Sequence, residues 1–103
     1  MNSSWKNVKR LIEYPREGIL SKVVYKSETQ ETTLFCMAKN TELTEHTSSK
    51  NAIVYFLEGS GVFQFKNEKI NISDGLYIPM EKNSRHSLGA KDNTSFLLIL
   101  FKN

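Results

Sequence analysis

The sequence predicts an all-β protein, a single small domain whose short strands close into a sandwich or barrel. Three observations carry that prediction. Short runs of β-branched, aromatic and aliphatic residues recur along the chain, separated by Gly, Asn, Asp and Ser turn signals at intervals of about 8–12 residues. Several of the runs alternate apolar and polar residues, the period of a strand with one buried face. The chain has 103 residues, enough for one domain with one modest core.

Taken in order, the first element is ambiguous. Trp5, Val8 and Ile12 have helical spacing and Pro15 would end such a helix, so residues 1–17 read as a short helix or as an extended arm docked on the barrel or on another protomer's sheet edge. Strand-like runs follow at Ile19–Tyr25, Thr32–Ala38, Ala52–Leu57, Val62–Phe65, Lys69–Ile72, Leu76–Met80, His86–Leu88 and Ser95–Phe101. Asn40 and Leu43 suggest a loop before His46. Val62-Phe63-Gln64-Phe65 and Lys69-Ile70-Asn71-Ile72 read as a hairpin turned at Lys66-Asn67. Pro79 cannot donate to a ladder, so it marks an edge, a strand end or a bulge, and the chain should bend there.

Composition narrows the class. Hydrophobic residues make up 39% and charged residues 24%, an ordinary balance for a soluble globular domain and unlike a disordered one. The net charge is +3, with lysines and arginines scattered rather than striped, which argues against nucleic acid as a partner. Cys36 is the only cysteine, so no internal disulfide forms, and its place in an apolar run reads as a buried thiol. No signal-peptide core and no apolar stretch near the roughly 18 residues of a membrane span is present, so a cytoplasmic protein without a membrane partner is expected.

The chemistry concentrates on two histidines, His46 and His86, each at the end of a strand-like run. Their surroundings resemble the cupin superfamily. In that family's first motif, G-x5-H-x-H-x3-E-x6-G, His46 falls on the first histidine and Gly59 on the last glycine without a gap. Asn40, Ser48 and Ala52 take the places of the first glycine, the second histidine and the glutamate. In the second motif, G-x5-P-x-G-x2-H-x3-N, Gly75 and His86 match, while Glu81, Asn83 and Ala90 replace the proline, glycine and asparagine. Glu45-His46-Thr47 and Leu57-Glu58-Gly59 also look like stretches of small bacterial single-domain cupins.

The resemblance spans about residues 18 to 101 and implies a jelly-roll barrel (a double-stranded β-helix) of six to eight strands over 18–103, RmlC-like and often homodimeric. It also implies a metal held by three histidines and a glutamate. The family spacing has a physical reason: residues i and i+2 of a strand share a face, so H-x-H aims two imidazoles at one point, which suits a divalent transition metal. Here only His46 and His86 remain as metal ligands, so the cofactor stays open, with a weakly bound Zn, Ni, Fe or Mn ion as the one the resemblance allows.

The expected ligand-binding set is His46, Ser48, Ala52, Tyr55 and His86, with the polar members as handles in an apolar barrel mouth. Cys36, Tyr77 and Glu81 are further pocket candidates weighed against core packing or surface placement. Arg85 and Glu45 are expected to face away from the histidines. Three functional readings stay open: a small-molecule binding protein with a reduced metal site, a metal-dependent enzyme of dioxygenase, isomerase or lyase type using His46 and His86, and an interaction module acting through a dimer face.

Overall fold

The computed structural model describes residues 5–102, with the backbone alone for His46. Among these residues nine strands run in the order β1 (Ile19–Lys26), β2 (Gln30–Met37), β3 (Glu42–His46), β4 (Ala52–Glu58), β5 (Gly61–Phe65), β6 (Glu68–Asn71), β7 (Tyr77–Met80), β8 (His86–Ala90) and β9 (Thr94–Phe101). They form two antiparallel sheets, β1-β2-β9-β4-β7 and β3-β8-β5-β6, packed face to face as a jelly roll. The count exceeds the expected six to eight. No helix among the described residues is long and apolar enough to cross a membrane.

Strand parity builds the core. On β4, Ala52, Val54 and Phe56 are buried while Tyr55 is exposed, and on β8 His86, Leu88 and Ala90 are buried while Ser87 and Gly89 are less so. These inward residues join Phe63, Ile78, Met80 and Phe96 between the sheets. Phe56 sits against both Phe63 and Phe96, with ring centroids 6.0 and 5.3 Å apart. Fully burying such side chains stabilises the fold by about 1.5–3 kcal/mol each.

A second apolar layer covers the outer face of the five-stranded sheet. Leu34 and Cys36 of β2, with Leu57, lie beneath Val8, Leu11, Ile12 and Tyr14. This explains the nearly continuous apolar run in β2, since that strand is covered on both faces. The N-terminal segment is a single 3₁₀ turn, Val8–Leu11, followed by an extended stretch. Trp5 stands 80% exposed and takes no part in the docked face that its spacing suggested. The segment is fastened by polar contacts. Tyr14 donates its hydroxyl to Glu58 Oε2 at 2.7 Å, with Ser95 Oγ 3.1 Å away, and Lys22 Nζ donates to the Leu11 carbonyl at 2.8 Å.

Two departures from the motif glycines keep the backbone they require. Asn40 and Asn83 both take a left-handed φ of 66°, the conformation that Asn tolerates best after Gly. Gly59, which matches its motif, has φ 127°, and a Cβ there would come within 2.6 Å of Thr94 Cα. Pro79 lies on β7, at the edge of its sheet, where a missing donor costs least.

Candidate functional site

The main difference from the sequence reading is β3, expected as loop and found as a strand at the edge of the four-stranded sheet. Leu43 pairs with Leu88 and points into the core, whereas His46 pairs with His86. Regular pairing would set Glu45 opposite His86. A one-residue bulge between Leu43 and His46 sets His46 there instead. The displaced Glu45 carboxylate lies 3.9 Å from Arg85, and both side chains are largely exposed, as strand alternation suggested.

On the other side of β8, His86 pairs with Phe65. The backbone of His46, His86 and Phe65 therefore forms one row across β3, β8 and β5. The side chain of His46, expected as a ligand and metal handle, lies outside the described residues.

His86 is 8% exposed. Its ring stacks on Phe63, with centroids 6.1 Å apart and planes inclined by 6°. Nδ1 lies 3.1 Å from the Ser84 carbonyl. A carbonyl only accepts, so Nδ1 carries a proton, and in the neutral ring the lone pair sits on Nε2. Phe63 and the Ser84 carbonyl thus hold the ring in position.

The remaining expected residues divide. Ser48 stands in the connection after β3, where its hydroxyl accepts from the Lys50 amide at 3.1 Å and its carbonyl from the Asn83 amide at 2.7 Å. It serves there as a turn residue. Ala52 is 3% exposed and belongs to the core, paired with Met80 and Leu100. Tyr55 is a correction: it lies on the outer face of β4, edge-on to Tyr77 at 6.4 Å, three residues from Ala52 and hence on the opposite side of the strand. Tyr77 shares that outer face at 57% exposure, and Cys36 is buried beneath the N-terminal segment, so neither lines the barrel interior.

An open cavity of about 560 Å³ lies at the end of the barrel where β4 begins and β5, β7 and β9 end. It wraps over the end of the five-stranded sheet: Ala52, Phe65 and Met80 line it from the barrel side, Ile53, Pro79 and Phe101 from the outer face, and Asn51, Lys66 and Glu81 add polar residues. Of the expected set, Ala52 lines it. Phe65 connects it to the histidine row, because its inward ring lies in the lining while its backbone pairs with His86. Phe65 and Met80 were within reach of sequence reasoning, being two residues from the buried Phe63 and Ile78 on the same faces. Lys66 was not, because turn residues carry no parity. Two further depressions, of about 780 and 460 Å³, lie on the outer face of the four-stranded sheet and share Glu42, Val62 and Gly89. The smaller is lined mainly by outward residues of that face, and the larger extends to the opposite barrel end, where Ser60, Gly61, Ile72, Ala90 and Lys91 border it.

The metal set of the cupin resemblance does not fit the residues found here. Ser48 offers a neutral hydroxyl engaged in its own turn, and the methyl of Ala52 sits in the core. Among the described residues no group of three or more His, Cys, Asp and Glu is placed to hold an ion. A closed four-ligand sphere of the structural zinc type is not available from this set.

Comparison with solved structures places this architecture in a known class. A conserved protein of unknown function from Streptococcus pyogenes superposes with a TM-score of 0.85 at 21% identity, over 100% of this chain and 90% of its own. A cupin superfamily protein from Desulfitobacterium hafniense gives 0.83 at 21%, over 91% and 86% of the two chains. A cupin 2 conserved barrel domain protein from Leptotrichia buccalis gives 0.84 at 26%, over 94% of this chain and 47% of that one. No protein-family model matches the chain, and a search of curated proteins finds no significant match. The chain is a cupin-fold protein, a single jelly-roll barrel.

Proposed function

We propose that this protein binds a small molecule at the open end of its barrel, with His46 and His86 as polar handles beside a metal site reduced to those two imidazoles. The observation that carries the reading is the cavity of about 560 Å³ whose lining joins core residues Ala52 and Met80 to Phe65, the neighbour of His86 in the histidine row. A concave, largely apolar site with a few polar groups is the usual form of a small-molecule pocket, and its volume lies within the common range. Ser48 acts in this reading by holding the connection between β3 and β4, and Tyr55 has no part in it.

We further propose a homodimer. Support comes from β1, a sheet-edge strand whose Val23 and Tyr25 are 60% and 47% exposed, beside Ile19.

A backbone-amide NMR screen of the full chain against a fragment library tests the ligand site. Shifts clustering on the amides of Asn51–Ile53, Phe65–Lys66 and Met80–Glu81 are expected. Shifts confined to the outer face around Glu42 and Gly89 would overturn the reading.

A further inference from the structure

We propose that the ligand taken at the open barrel end is a small zwitterion with an apolar body, of the chemical type of an apolar amino acid. This rests on the cavity being the ligand site. Two residues of opposite charge line the cavity from different sheets. Lys66 stands at the tip of the β5–β6 hairpin, and Glu81 follows β7. Lys66 does not extend freely from the hairpin: its Nζ is folded back over the Phe65 ring, 5.4 Å from the centroid, so an aromatic face of the cavity lining holds the ammonium beside the opening. Neither Lys66 nor Glu81 belongs to any of the four ion pairs found among the described residues.

The pair of charges decides the ligand class. An anionic ligand gains Lys66 but meets Glu81, and a cationic ligand gains Glu81 but meets Lys66. A zwitterion pairs with both. The apolar residues Ile53, Phe65, Pro79, Met80 and Phe101 offer contact to the body of the molecule around the open barrel end. Asn51 is occupied on its oxygen, which accepts from the Lys82 amide at 2.8 Å, so its side chain helps fix the segment bearing Glu81.

The test is an amide-shift titration of the full chain with four probes of one shape: L-phenylalanine as zwitterion, 3-phenylpropionate as anion, phenethylamine as cation and 3-phenylpropanamide as neutral body. L-phenylalanine should bind tightest, roughly ten-fold better than the neutral amide, since each exposed ion pair contributes up to about five-fold. Lys66→Gln and Glu81→Gln should each weaken L-phenylalanine by up to about five-fold and leave the neutral amide unchanged, while Lys66→Arg restores the zwitterion's affinity. Spectra with native dispersion exclude unfolding in each variant. If the neutral or a singly charged probe binds as well as L-phenylalanine, the zwitterion class is overturned and the cavity remains a ligand site. If no probe moves the Ala52, Phe65 or Met80 amides into the millimolar range, the ligand-site reading falls with it.

Discussion

Replacing Tyr14 by Phe should cost this small protein a large part of its stability. The change deletes one oxygen and leaves the ring among Leu34, Cys36 and Leu57. That oxygen donates to the Glu58 carboxylate at 2.7 Å, and hydrogen bonds to charged partners are worth about 1.5–3 kcal/mol. It also lies 3.1 Å from Ser95 Oγ, whose residue is 0% exposed, so the deletion strands a hydroxyl that water does not reach. Glu58 is half-buried and recovers some hydration, which brings the expected loss to about 2 kcal/mol.

For a domain of this size that corresponds to roughly 8–16 °C in Tm, or to about 1 M in urea midpoint. Glu58→Gln, which keeps an acceptor without the charge, should lose about half as much. The tyrosine also leaves a pH signature. Burial pushes the Tyr14 hydroxyl pKa up, the Ser95 contact opposes this and the Glu58 carboxylate adds to it. Above about pH 10 the unfolded chain gives up this proton first, so stability falls with rising pH over the interval up to the folded value. The difference between wild type and Tyr14→Phe should be constant below pH 10 and shrink above it. Urea denaturation followed by circular dichroism across pH measures both effects. A loss below about 0.5 kcal/mol at neutral pH would refute the claim that this contact fastens the N-terminal segment.

Gly59→Ala should destabilise by about 2 kcal/mol or more, because the left-handed φ alone costs an L-residue roughly 1–2 kcal/mol and the new methyl meets Thr94 backbone. Thermal unfolding reads it, and a neutral effect would show that the turn relaxes without penalty. Tyr55→Ser, on the outer face, should leave probe binding at the barrel end unchanged and cost no more than about 1 kcal/mol through its contact with Tyr77. Light scattering at micromolar concentration should give a dimer mass that Val23→Lys reduces to a monomer, and a wild-type monomer would contradict the homodimer proposal.

The barrel was legible in the sequence wherever one face of a strand is buried, because alternation then appears in the residues themselves. Ala52-Ile53-Val54-Tyr55-Phe56 shows it directly. It failed at β3, whose Glu42, Thr44 and Glu45 are exposed at a sheet edge and whose bulge breaks the period of two between Leu43 and His46. The N-terminal segment was readable as docked but not in its shape: the apolar contacts come from Val8, Leu11, Ile12 and Tyr14 across one 3₁₀ turn and an extended stretch, a pattern with neither helical nor strand period.

Of the residues expected around the candidate site, Ala52 lines the cavity at the barrel end, and His86 lies in the row beside Phe65. Tyr55 could have been set aside from the sequence alone, since an offset of three from Ala52 crosses to the other face of a regular strand. Lys66 could not have been found, because only the folded hairpin carries its side chain back over Phe65.

The proposed ligand site, with its metal centre reduced to His46 and His86, is open to elemental analysis of the full chain purified without a histidine tag. Bound transition metal should fall well below one ion per chain, and Zn²⁺ or Ni²⁺ added in vitro should be lost on dialysis. One tightly held ion per chain, absent from both His46→Ala and His86→Ala, would contradict that reduced centre.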